Sequence, residues 1–166
     1  MDFALGADEE AQSGGGYRAL LLGAIAMRTI LMAYRGSAHD QRVLRWLCRL
    51  VKHTRGNLRL VYVLAVSYTH EVDDPEPPGA QEAEQMLLEA EHIAQEEGVV
   101  VAADLVQARE VGPGLVSEAD EVEADLLVLT DQRQLMPDEN PLGVGVVAYV
   151  MKHAPCPVWL CYEPLP

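Results

Sequence analysis

The chain has 166 residues, enough for one domain with a full core and too few for two comfortable ones. Apolar residues make up 49% and aromatic residues 5%, with Phe3 the single phenylalanine, so the core is aliphatic and suits a parallel sheet covered by helices. A formal net charge of -14 repels phosphate polymers and anionic lipid, which argues against nucleic-acid and membrane-surface partners.

Residues 1–26 read as an accessory segment of unknown role, ahead of one domain over 27–166. "MDFALGADEEAQSGGG" is acidic and then glycine-rich, without the basic opening of a secretory signal. "YRALLLGAIA" is apolar but well short of the roughly 18 residues that cross a bilayer. From Arg28 the pattern alternates. "RTILMAY" (28–34) reads as a buried strand, and "GSA" breaks it. Ser37, with Asp40 three residues on, reads as the cap and first-turn acid of a helix running to about His53. Val43, Leu44, Leu47, Leu50 and Val51 form its apolar stripe, and Arg42, Arg45, Arg49 and Lys52 fill much of the opposite face.

"LRLVYVLAV" (58–66) is the second strand, and the proline-bearing "HEVDDPEPPG" is an exposed loop. "AQEAEQMLLEAEHIAQEEG" is a strong helix stopped by Gly98. "VVVAADLVQAR" gives a third strand, "GLVSEADEVEA" a short helix, and "DLLVLT" a central strand ending at Thr130. The loop "DQRQLMPDENPLGVG" leads to the helix "VVAYVMKHA", and "PCPVWLCY" becomes a strand after Pro157. The order β-α-β-α-β-α-β-α-β argues for a single parallel sheet with helices on both faces. Its functional spot is the crevice beyond the carboxyl ends of the strands, where the connections reverse direction.

The chemistry-bearing residues are sparse. Cys48, Cys156 and Cys161 sit in apolar runs, without CxxC or metal-ligand spacing, as expected in a reducing cytoplasm. His39 reads as a solvated first-turn histidine, and His53 and His153 as helix-closing cations. No nucleophile elbow, Walker A or G-x-G-x-x-G is present, so no enzyme activity, cofactor or metal is expected.

"ILMAYRGSAHDQRVLRWLCRL", "EADLLVLT" and "VMKHAPCPVWL" together resemble the universal stress protein family over about 28–162. The resemblance implies a five-stranded sheet of order 3-2-1-4-5 and dimers that pair through the last strand. It also implies a choice between members that bind ATP and members that do not. Binders carry G-x-x-G, nine residues, then G-[S/T] after strand four, where glycines let backbone N–H groups approach phosphate. Here the first two glycine positions are Thr130 and Arg133. Gly143 follows at the third, then Val144; counted back from Pro157, the final pair is Val144-Gly145. The hydroxyl is absent in either register. Binders also have an acid at the end of strand one, and here that position is Arg35.

Acid, glycine pair and hydroxyl are altered together, which argues against ATP held in the family's manner. Two readings of the crevice remain open. Arg35 and Asp131, on neighbouring strands, form an ion pair that plugs it; or Arg35 and Arg133 stay free to hold a small anion, ATP or another adenine nucleotide. A further reading has an adenine ligand held by backbone contacts near Val66 and Thr130. At the sheet edge, the apolar stretch Val158, Trp159, Leu160, Cys161 and Tyr162 is expected to pair with a second copy. The expectation is a cytoplasmic homodimer acting as a stress-associated interaction module, with room for an unidentified protein partner.

Overall fold

The computed structural model describes residues 27–68, 77–132 and 143–163. The strands β1 (Thr29–Ala33), β2 (Asn57–Ala65), β3 (Ala102–Ala108), β4 (Leu126–Gln132) and β5 (Val158–Glu163) form one parallel sheet in the order β3-β2-β1-β4-β5. The helices are α1 (Ala38–Thr54), α2 (Ala80–Glu96), α3 (Val111–Glu121) and α4 (Gly143–His153). This is the doubly wound architecture expected from the alternating pattern. Residues 1–26 and Arg133 lie outside the described residues.

β1 is buried on both faces, which is why its sequence is an unbroken apolar run. Ile30, Met32 and Tyr34 pack with Val43, Leu44 and Leu47 of α1 and with Leu87 and Ala90 of α2. Leu31 and Ala33 face the opposite layer, with Leu115 and Ala119 of α3 and Val150 of α4. Each fully buried Leu or Ile on these faces contributes on the order of 1.5–3 kcal/mol relative to exposure. The two layers leave the sheet's carboxyl edge as the place where the β1 and β4 connections diverge.

Two helix boundaries differ from the sequence reading. α3 begins at Val111, three residues early, and takes in Gly112-Pro113-Gly114. Pro113 is in the first turn, where its missing N–H breaks no intrahelical bond. The glycines serve close approach: a Cβ on Gly114 would sit 2.7 Å from Val63 Cγ1 and 2.9 Å from Ala108 Cβ. α4 likewise begins at Gly143, ahead of the apolar run that marks it in the sequence.

Candidate functional site

The crevice is built from the turn after β1. Tyr34 still hydrogen-bonds along the sheet, its N–H donating to Val61 O at 2.9 Å. The chain then turns through Arg35, Gly36 (φ +82°) and Ser37 into α1. Ser37 and Asp40 form a capping box: Asp40 N–H donates to Ser37 Oγ at 3.0 Å, and Ser37 N–H donates to Asp40 Oδ2 at 3.0 Å. The same Oδ2 accepts from the Arg35 N–H at 3.2 Å. Oδ1 accepts from the hydroxyl of Thr130 at the end of β4. A fully buried carboxylate thus organises the turn and ties it to β4.

From that anchored backbone Arg35 reaches across to β4. Its Nη2 donates to Thr130 O at 3.2 Å and approaches Thr130 Oγ1 at 3.4 Å. No ion pair joins Arg35 to Asp131 among the described residues; the Arg35 side chain is engaged by Thr130 instead. The Arg35 backbone is fixed by Asp40, and from there the guanidinium meets the Thr130 carbonyl. Arg35 Nε and Nη1 are buried without an acceptor, and Asp131 Oδ1 is buried without a donor. Such orphaned groups cost roughly 1–3 kcal/mol each. Beside them, burial and then the Asp40 and Glu89 carboxylates push the Tyr34 phenol up to about 12, which keeps it protonated.

The backbone positions considered for an adenine ligand are already engaged. Val66 N–H donates to Ala108 O at 2.8 Å, and Val66 O accepts from Arg109 Nη1 at 3.3 Å. Arg109 Nη1 also donates to Ser67 O at 2.5 Å, and its guanidinium lies 5.2 Å from the centre of the Tyr68 ring. Thr130 O holds Arg35. Gly143 heads α4, and a Cβ on Gly145 would meet nothing within 4 Å. Val66 therefore presents no free backbone N–H for a base to use.

A cavity of about 270 Å³ opens beside the turn. Ala33 and Arg35, Val61 and Val63, and Val111 and Leu115 line it, so β1, β2 and α3 each supply a wall.

The second candidate surface is β5, an outer strand of the sheet. Leu160 is 40% and Tyr162 49% exposed, while Val158, Trp159 and Cys161 are partly buried. Trp159 packs a tilted ring against Trp46 of α1 at 5.9 Å between centroids. Burial raises the Cys161 thiol above its ordinary range. His39 is not solvated as its position in the first turn suggested. It is buried, and its Nε2–H donates to Cys161 O at 2.9 Å, linking α1 to the edge strand. The signal lay in the spacing: His39 and Asp40 fall on the stripe that continues through Val43, Leu44 and Leu47. His53 and His153 do close their helices, each with Nδ1 at the carbonyl four residues back.

The family model described as "Universal stress protein family" matches residues 27–161. No relative was found among curated protein sequences. Solved structures share the fold. A universal stress protein in complex with cAMP is 22% identical, with a TM-score of 0.63 over 82% of this chain and 98% of that one. The Archaeoglobus fulgidus universal stress protein in complex with dAMP is 23% identical, with a TM-score of 0.60 over 82% and 98%. An Arabidopsis thaliana family protein with AMP bound is 19% identical, with a TM-score of 0.57 over 82% and 92%.

Proposed function

Because the chain belongs to the universal stress protein family, we propose that it serves as a stress-associated interaction module that does not hold ATP in the family's manner. The observation that carries this is the Arg35 bridge to Thr130 O, 3.2 Å long, which spans the β1–β4 crevice where the family resemblance implies an acid and an open site. In this reading the protein has no catalytic turnover and no cofactor, and works in the cytoplasm as a homodimer through β5. The exposed Leu160 and Tyr162 on an outer strand support that pairing, since an uncharged apolar edge is an aggregation hazard unless covered. A further protein partner would then meet the dimer.

A second reading is a nucleotide-binding stress protein with a modified site. The cAMP, dAMP and AMP complexes of structural neighbours favour it, as does the cavity beside Arg35. Native mass spectrometry of the freshly purified protein separates the two. A dimer without adduct, unchanged on adding ATP, is expected; a stoichiometric adduct of nucleotide mass refutes the first reading.

A further inference from the structure

The cavity beside the bridge has an unusual electrostatic lining. Arg35 is its one charged wall residue, and no carboxylate lines it among the described residues, in a chain of net charge -14. The other wall residues named above, Ala33, Val61, Val63, Val111 and Leu115, are aliphatic. Arg35 donates through Nη2 to Thr130, which leaves the N–H groups on Nε and Nη1 buried and unsatisfied. Asp40, the nearest turn carboxylate, is committed to Ser37, Arg35 N–H and Thr130. Nε and Nη1 of Arg35 therefore lack an acceptor that the protein itself supplies.

At about 270 Å³ the cavity falls just below the roughly 300–1,000 Å³ typical of ligand pockets, a size for a single ring with a short substituent. We propose that it binds a small organic monocarboxylate, with an apolar body against Val61, Val63, Val111 and Leu115 and the carboxylate turned to Arg35. A carboxylate supplies a charge-assisted acceptor to the Arg35 guanidinium, which would turn from its buried position to meet it, in a wall with no carboxylate of its own. A neutral body of the same shape satisfies the walls and leaves the cation uncompensated. The proposal rests on the reading that ATP is shut out, since that leaves Arg35 as the group that reads the ligand.

Calorimetric titration of the full chain with benzoate, benzamide and AMP tests this. Benzoate is expected to bind about tenfold or more tightly than benzamide, the usual margin for a hydrogen bond to a charged group. Arg35→Gln is expected to erase that preference and Arg35→Lys to restore part of it. Val111→Phe, which fills the cavity and leaves Arg35 intact, is expected to abolish binding with an unchanged circular dichroism spectrum. Equal affinity for benzoate and benzamide, no heat with benzoate, or a benzoate affinity indifferent to both Arg35→Gln and Val111→Phe overturns the proposal. Saturable AMP binding by the wild type instead overturns the closed-crevice reading. Silence with both AMP and benzoate leaves that reading standing and removes the carboxylate site alone.

Discussion

The Thr130 hydroxyl donates to Oδ1 of Asp40, tying the end of β4 to the first turn of α1. Asp40 is completely buried, so its oxygen has no solvent to turn to if that donor is removed. Thr130→Val keeps the shape and deletes the donor. It is expected to lower stability by about 1–3 kcal/mol in urea denaturation, whereas Thr130→Ser, which keeps the hydroxyl, costs about 0.8 kcal/mol for the lost methyl. Equal losses in the two variants would show that the hydroxyl contributes nothing.

In the proposed reading, the loss of ATP binding rests on more than one residue. Arg35→Asp restores an acid at the end of β1, yet Thr130 and Arg133 still stand at the glycine positions and Val144 or Gly145 where a hydroxyl is needed. The variant is therefore expected to remain unable to retain ATP in equilibrium dialysis. Retention would mean that Arg35 alone excludes the nucleotide.

Two helical glycines are expected to respond with opposite sign to the same change. Gly114→Ala improves helix propensity by about 1 kcal/mol but drives a methyl to 2.7 Å from Val63 Cγ1 and 2.9 Å from Ala108 Cβ. Overpacking of this kind costs about 1–3 kcal/mol, so net destabilisation is expected. Gly145→Ala meets open space in α4 and is expected to stabilise by about 0.5–1 kcal/mol. Thermal unfolding of the pair reads both signs in one experiment.

Dimerisation through β5 has a direct probe. Leu160→Lys places a charge on the exposed edge, a device by which natural sheets refuse new strands. Light scattering is expected to report two chains per particle for the wild type and one for the variant. An unchanged mass places the contact elsewhere.

Glu118 gives a pH prediction. It is 8% exposed; burial, then the carboxylates of Asp104 and Glu121, raise its pKa, with Arg59 opposing. A carboxyl raised in the folded state binds its proton more tightly there than in the unfolded chain. Its contribution to stability therefore declines as pH rises from the unfolded value, about 4.3, through the folded one. Glu118→Gln is expected to be more stable than the wild type at pH 7, with the gap closing as pH falls toward 4. Denaturation midpoints at three pH values check this; a gap that widens on acidification refutes it.

Much of the fold was legible because parallel strands buried on both faces leave unbroken apolar runs, as at Ile30–Tyr34 and Leu126–Leu129. The start of α3 was not, since Gly112-Pro113-Gly114 reads locally as a breaker, and only Val63 and Ala108, distant in sequence, explain the need for a missing Cβ. At the site, sequence singled out Arg35 and Thr130 and left Arg35 either paired with Asp131 or free; the structure gives it Thr130 O. Charge suggested Asp131, whereas the geometry is set by Asp40, whose role looked exhausted by helix capping. His39 misled in a similar way, because its partner is a backbone carbonyl on the far edge strand.

The seam between β1 and β4 has the shortest ladder in the sheet, Ile30–Met32 against Leu126–Val128, and it is the strand pairing that links the β1-β2-β3 half to the β4-β5 half. Side chains stitch it at both ends. Asp125 Oδ2 accepts the N–H groups of Arg28 and Thr29 at 2.8 and 2.9 Å below, and Asp40, Thr130 and Arg35 close it above. Four polar side chains therefore reinforce the three backbone pairs of this seam. The Arg35 bridge to Thr130 O is thus also the upper rivet of the sheet.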